Sequence, residues 1–373
     1  MKDLLSALCL VIFSVSLSGQ KARDLGIEFG VMKPGKLNSI TDVPGVLVGH
    51  QTIIEGKNIR TGVTAILAHE GNIFQDKVPA AIHIGNGFGK LAGISQVQEL
   101  GNIETPIILT NTLGVPVGMQ ATIKYTLSLE GNEKIGSVNA IVGETNDGYL
   151  NDIRGMHVTE NDVLAAIKAA KRGDVVEGNI GAGTGTSAFG YKGGIGTSSR
   201  IIPPEYGAFT IGVIVQSNFG GNLTINGAPI GKELDRYPFK NAIEKSDGSC
   251  MIVIMTDAPL NARQLERVAK RAMMGLAKTG GIASNGSGDY VIAVSTAESM
   301  RIPYSTSSKT DQGDVLRNDE MSPLFMATIE ATEEAIINSL FAAEDMVGRN
   351  GNERKAIPKE QVLQILKKYG VID

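Results

Sequence analysis

Tryptophan is absent from this 373-residue chain, cysteine occurs twice and histidine only four times. Each scarcity excludes something. Cys9 lies in an apolar leader and leaves Cys250 alone once that leader is gone, so no disulfide can form within the remaining chain, even in an oxidising compartment. His50, His69, His83 and His157 fit neither an H-x-x-x-H nor an H-E-x-x-H pattern, and no cysteine ligands supplement them, so no metal site is expected. No serine sits in a G-x-S-x-G elbow, and no cysteine–histidine motif is present. Charge of one sign is also missing. Lys plus Arg number 35 against 39 Asp plus Glu. That balance gives no basic footprint for nucleic acid and no charged block for a membrane surface.

What is present starts with a leader. Lys2 precedes an apolar run over 4–17, and Ser16, Ser18 and Gly19 are small enough for a cleavage region. This reads as a signal peptide over 1–19, since the run is shorter than the ~20 residues that span a bilayer. A periplasmic or secreted protein is expected, with no membrane contact after signal removal. Residues 20–373 show no strong internal boundary and read as one domain.

Short apolar runs at 46–53, 62–68, 80–84, 106–109, 138–142, 209–215, 251–255 and 290–294 predict strands. Helical spacing appears over 88–100, 118–129, 159–172, 261–278, 326–346 and 360–368, with Thr159 as an N-cap and Gly173 as a terminator of the third. Interleaved strands and helices argue an α/β or α+β layered core. Two stretches lack apolar periodicity, 173–207 and 222–247; long irregular stretches in a compact domain tend to be functional or mobile. The first contains Gly181-Ala182-Gly183-Thr184-Gly185-Thr186. This resembles a phosphate cradle, but it lacks the G-K-[ST] ending. A structural turn and a substrate-lining loop are both open readings for it.

Two segments carry candidate chemistry. Gly248-Ser249 sits where a polar loop meets the strand at 251–255. Such a pair is ordinarily a turn. The chemical alternative is that the Ser249 hydroxyl attacks the unhindered Gly248 carbonyl and the ester hydrolyses, leaving Ser249 as a new N-terminus. Its α-amine, with a reference pKa near ~7.7–8.0, then serves as the base for its own hydroxyl, and no histidine is needed. The second segment is 284–290, where Ser287 and Asp289 alternate on entry to a strand and point to one face. A hydroxyl and a carboxylate so placed can relay a proton or orient an amine; a capped β-turn is the competing reading.

With their surroundings, these segments resemble the DmpA/BapA family of self-processing aminopeptidases. The resemblance rests on the stretches at 21–26, 38–46, 48–50, 62–64 and 85–87. It continues through Glu144-Thr145-Asn146-Asp147, Gly181–Gly185, 215–220, Gly248-Ser249 and 286–289. It implies a four-layer αββα sandwich, like that of N-terminal-nucleophile hydrolases but with different strand connections. It implies self-cleavage between Gly248 and Ser249 into polypeptides 20–248 (α) and 249–373 (β), which stay associated and assemble into a homo-oligomer. Ser249 then matches the nucleophile, and Ser287 and Asp289 the pair that supports it, Asp289 standing where some members have Glu. Asn218 matches the oxyanion donor, and Glu144 and Tyr149 match positions lining the site. No cofactor is implied, and the substrates are short peptides, amides or esters with a free amine. Three alternatives stay open: Cys250 as nucleophile, a non-catalytic envelope binding protein of the same fold, and an acyltransferase.

Overall fold

The structure, a computed structural model, describes residues 19–239, 248–310 and 313–373. Nearly all of the expected signal segment, and the end of the unpatterned stretch at 222–247, lie outside the described residues.

Two sheets stack face to face. The first has the order β1 (Leu47–Glu55), β2 (Ile59–Leu67), β6 (Ile107–Asn111), β7 (Ile141–Thr145), β4 (Leu91–Ala92). The second has the order β10 (Ile195–Ile201), β11 (Thr210–Asn218), β12 (Ser249–Thr256), β13 (Gly288–Ser295), β3 (Asp76–Gly87), β14 (Ile302–Pro303). The short β5 (Asn102–Ile103) also pairs with β3. Two small hairpins, β8 (Ser187–Ala188) with β9 (Tyr191–Lys192) and β15 (Met346–Val347) with β16 (Glu353–Arg354), stand apart from the sheets. Helices α2 (Val115–Leu127) and α3 (Glu160–Lys168) cover the outer face of the first sheet, and α5 (Ala262–Lys278) and α6 (Ser322–Phe341) that of the second. The short α1 (Ile94–Leu100) packs on β3, and α4 (Ile230–Glu233) on α7 (Lys359–Lys368). The layers are therefore α, β, β, α, as the resemblance implies.

Burial on both faces explains why the central strands read as unbroken apolar runs rather than alternating ones. Along β12, Cys250, Ile252 and Ile254 join the core under α5 and α6, while Met251, Val253 and Met255 join the core between the sheets. Every one of these side chains is fully buried, and each full burial of an aliphatic side chain contributes about 1.5–3 kcal/mol. Helix starts follow local chemistry. Asn261 and Thr159 accept hydrogen bonds from the N3 amides of α5 and α3, completing capping boxes.

Three elements differ from the sequence reading. The helical spacing at 88–100 yields a helix only from Ile94, because Leu91–Ala92 pairs with β7 and Gly93 turns with φ at +91°. The helix expected over 159–172 stops at Lys168, since Lys171 forms a β-bridge with Val48. The stretch 173–207 holds β10, an edge strand of the second sheet. Its sequence, IGTSSRI, shows no apolar alternation because its polar side chains are buried and paired. Thr197 Oγ1 donates to Val213 O at 2.7 Å and Ser198 Oγ to Ala331 O at 2.5 Å. Arg200 pairs with Glu330 at 3.1 Å and with Glu334 at 2.7 Å, both on α6. Arg23 also reaches Glu334, at 2.7 Å. This buried cluster ties the start of the described chain to β10 and α6.

Candidate active site

One row of residues crosses the second sheet at the start of β12. Asn218 ends β11 and stands opposite Ser249, which stands beside Gly288 of β13, which stands opposite Gly87 of β3. Directly paired residues on neighbouring strands project to one face with Cβ atoms about 4.5–5.5 Å apart. Asn218 and Ser249 are thus side by side, pointing into the layer between the sheets with Met251 and Tyr290 two residues further on. Ser249 is 5% exposed and Asn218 8% exposed. Between Asp289 and Tyr290 the register with β3 shifts by one residue, and such bulges recur beside active sites because they re-aim side chains.

The Gly288 N–H is shared between two acceptors. It donates to Gly248 O and to Ser249 Oγ, both at 3.2 Å. One donor therefore gathers the carbonyl of the 248–249 bond and the hydroxyl that follows it. Glycine at 248 is required by packing. A β-carbon there would stand 2.6 Å from Asn218 O and closer still to the Phe219 Cα.

Asn218 is held from both ends of its amide. Oδ1 accepts from Ser187 N at 2.9 Å, and Nδ2 donates to Asn146 O at 3.0 Å. An amide nitrogen carries two hydrogens, so one remains for a second acceptor.

Ser287 and Asp289 do share a face, with Ser287 Oγ donating to Asp289 Oδ1 at 2.9 Å. That face is the helix-side one, because Asp289 pairs with Cys250, and Cys250 and Val291 belong to the core under the helices. The pair therefore addresses the main chain at the start of β12 rather than the Ser249 hydroxyl. Burial pushes the Asp289 carboxyl up to about 6, against the pull of the Ser287 hydroxyl, and its Oδ2 has no hydrogen-bond partner. Cys250 is fully buried on this same side. Burial first, and Asp289 second, raise its thiol well above its ordinary pKa, which removes the thiolate that a nucleophile needs.

Glu144 approaches from the first sheet. It is the last residue but one of β7 and is 2% exposed. Its Oε1 accepts from Lys90 N at 2.9 Å, and Oε2 from the Thr112 hydroxyl. Gly89 separates it from Gly288: a β-carbon on Gly89 would stand 3.0 Å from both Glu144 Oε1 and the Gly288 Cα. Tyr290 locks that contact by donating to Gly89 O at 2.8 Å. Glu144 is thus brought to the Ser249 row. Tyr149 is more exposed. It is 42% exposed, its ring carries the Arg354 guanidinium at 3.5 Å, and among the described residues none of its hydrogen bonds reaches Ser249, Asn218 or Glu144.

The histidines stand outside this row. His50 Nδ1 meets the Thr64 hydroxyl at 2.9 Å, and burial lowers its pKa to about 4. His69 Nε2 meets Asp76 O at 2.8 Å, and His157 Nε2 meets Asp152 at 3.1 Å. The 181–186 loop has its Gly181 and Ala182 amides taken by the Thr52 and Thr64 hydroxyls, and one of its carbonyls is turned to a cation, Lys192 Nζ donating to Gly183 O at 2.9 Å. The sequence reading missed Lys192 and the backbone donor of Gly288. A lone lysine amid Phe189–Gly196, with no acidic residue nearby in sequence, was the available signal.

The model of peptidase family S58 matches residues 38–354. The β-peptidyl aminopeptidase BapA of Sphingosinicella microcystinivorans is 38% identical over 96% of this chain and 95% of its own length. The PH0078 protein of Pyrococcus horikoshii OT3 superposes with a TM-score of 0.88 at 52% identity, over 94% of this chain and 100% of the other. The L-aminopeptidase D-Ala-esterase/amidase of Ochrobactrum anthropi, described as a prototype of the serine aminopeptidases with a variant of the Ntn-hydrolase fold, superposes with a TM-score of 0.87. It is 36% identical over 95% of this chain and 99% of the other.

Proposed function

The chain belongs to peptidase family S58 and is an aminopeptidase-type hydrolase, and from that premise we propose that it cleaves itself between Gly248 and Ser249 and then works through Ser249 as an N-terminal nucleophile. The observation that carries this reading is the shared Gly288 donor. It sets the Ser249 hydroxyl against its own preceding carbonyl and offers an N–H to the charge that develops on Gly248 O. Hydroxyl attack gives a tetrahedral adduct, collapse expels the Ser249 nitrogen, and water hydrolyses the resulting ester. The amine so released starts β12 on the side of Ser287 and Asp289, where the buried carboxylate holds it in place.

Turnover repeats this geometry with a substrate carbonyl in the place of Gly248. Ser249 attacks, its own α-amine takes the proton, and Gly288 N–H with the uncommitted Asn218 hydrogen stabilises the oxyanion; the substrate's C–N or C–O bond then breaks, the leaving group departs with that proton, and water hydrolyses the ester on Ser249. Glu144, across the gap on the first sheet, takes the substrate's free ammonium. The two polypeptides stay together because β12 and β13 of the small one lie between β11 and β3 of the large one. The Arg23 and Arg200 pairs with Glu330 and Glu334 also span them. The substrates on this reading are short peptides, amides or esters with a free amine, and the protein acts in the periplasm or outside the cell as a homo-oligomer.

Intact-mass measurement of wild type and Ser249→Ala tests the core of the proposal. Wild type should give two species divided at 248/249. Ser249→Ala should stay whole and lose turnover by on the order of 10⁵-fold. A Ser249→Ala protein still divided at that bond would sink self-cleavage. An N-terminal Cys on the small polypeptide would move the nucleophile to Cys250.

A further inference from the structure

Asn218 hangs between two loops, and each loop is keyed by a buried charge that takes no part in the chemistry described so far. On one side, Ser187 N holds Asn218 Oδ1. Ser187 pairs with Lys192 across the β8–β9 hairpin. Lys192 is fully buried, and its ammonium donates to Gly183 O at 2.9 Å and Gly193 O at 2.6 Å. The bond to Gly183 pins the hairpin to the glycine loop 181–185, and the bond to Gly193 closes on the residue after Lys192. The Thr186 hydroxyl joins the same Gly183 carbonyl at 3.1 Å, one residue before Ser187.

On the other side, Asn146 O holds Asn218 Nδ2. The next residue, Asp147, is buried, and its carboxylate accepts from Thr61, Asn151 and Asn111. Those partners belong to β2, to the loop after β7 and to β6, so Asp147 fixes the 145–151 turn to the first sheet. The glycine loop lies against it: a β-carbon on Gly185 would stand 2.8 Å from Asp147 Cβ. The two charges also sense each other. Burial lowers the Lys192 ammonium to about 7, while Asp147 pulls it upward; burial raises Asp147 to about 6 against its hydrogen bonds. A buried ammonium bound to carbonyls is costly, and a turn needing only a hydrogen bond would be cheaper to close with a neutral side chain.

We propose that Lys192 and Asp147 are a positioning pair for Asn218, keeping its free amide hydrogen aimed at the oxyanion beside Ser249. Neither group touches substrate. Each acts through one end of the Asn218 amide, Lys192 through Ser187 N and Asp147 through Asn146 O. The glycine loop 181–186 thereby acquires a role: it supplies the Gly183 carbonyl and the close approach at Gly185 that let the two keys meet. This inference rests on the reading of Asn218 as an oxyanion donor.

The test is a double-mutant cycle on the processed full-length enzyme with an aminoacyl p-nitroanilide. Lys192→Met keeps the length of the side chain and removes its charge and donors. It should lower kcat by about 10²-fold with KM within about twofold, because an oxyanion contact is made in the transition state only. Asn218→Ala should lose about 10²–10³-fold alone, and adding Lys192→Met should cost little more, since the two act as one unit. Multiplying losses, a changed KM with kcat intact, or no loss in Lys192→Met would each overturn the pair. If Lys192→Met does not fold, Asp147→Asn takes its place in the same cycle, with the same non-additivity expected and the same outcomes overturning it. Wild-type protein without turnover overturns the aminopeptidase reading and this inference together. Wild-type turnover beside an unaffected Lys192→Met overturns this inference only.

Discussion

The two ends of the β12–β13 pair are built from the same strands and prepared for opposite purposes. At the start, around Ser249 and Asp289, there is much uncommitted polar capacity. Asp289 Oδ2 has no partner, the Asn218 amide has a hydrogen to spare, and one Gly288 N–H serves two oxygens. At the far end, eight residues along and roughly 26 Å away at 3.3 Å per residue, a cavity of about 720 Å³ opens beside Asp257, Thr296 and Arg301. There the cations are already paired, Arg301 with Asp76 at 2.9 Å and Arg172 with Glu70 at 3.0 Å, and Asp257 accepts from Thr210 N at 2.7 Å. Space alone does not mark the reacting end. On the proposed self-cleavage, Gly248 in the uncut chain fills the position that a substrate acyl group takes afterwards.

This contrast can be broken at either end. The largest effect after loss of Ser249 itself is expected from Asn218→Ala, which should lower kcat by about 10²–10³-fold and slow self-cleavage in parallel; unchanged kcat would leave the site without its side-chain oxyanion donor. Next is Asp289→Asn. With the carboxyl at about 6, self-cleavage in wild type should rise as pH increases through about 6, and the variant should lose that limb and run about 10²-fold slower. The linkage has a definite sign. Because the folded pKa lies above the ordinary 3.8, the protonated carboxyl favours the fold fully below pH ~3.8, and that contribution is lost as pH rises through about 6. Denaturation midpoints of wild type and Asp289→Asn should therefore diverge across pH 4 to 6, and parallel curves would remove the burial argument.

A smaller, more specific effect is expected from Glu144→Gln. Losing a charged partner for the substrate amine should raise KM about 10-fold or more while kcat changes less; an equal penalty on an analogue lacking the amine would assign Glu144 to the fold alone. The smallest is expected at the far cavity. Arg301→Ala should leave kcat/KM within about twofold and cost no more than about 1 kcal/mol in denaturant titration, as a partly exposed ion pair does. A large loss of activity there would mean that the two ends are coupled and that the contrast is drawn in the wrong place.

Much of this was legible residue by residue. The runs at 251–255 and 290–294 announce central strands because both faces are covered, and Asn261 and Thr159 announce helix starts by their own side-chain bonds. The alternation of Ser287 and Asp289 gives their common face. It does not give which face, and the register with Cys250 shows it to be the one away from the Ser249 hydroxyl. β10 escaped detection because its polar side chains find partners on α6 and β11, more than a dozen residues away, and leave no periodic trace. Tyr149 matches a site-lining position by resemblance, and the structure adds that its ring carries the Arg354 guanidinium.

The amino-acid sequence by itself determined the layered α/β order and the Gly248–Ser249 junction at a strand entrance. These follow from local chemistry and from periods of two and 3.6 residues. Only the tertiary structure decided that Gly288 N–H serves both oxygens at that junction, that Glu144 faces it from the other sheet, and that Lys192 and Asp147 brace Asn218 from opposite sides. Those relations join residues from 26 (Lys192 and Asn218) to 144 (Glu144 and Gly288) positions apart. They exist because sheet register and inter-sheet packing set them, and neither is written in any single segment of the chain.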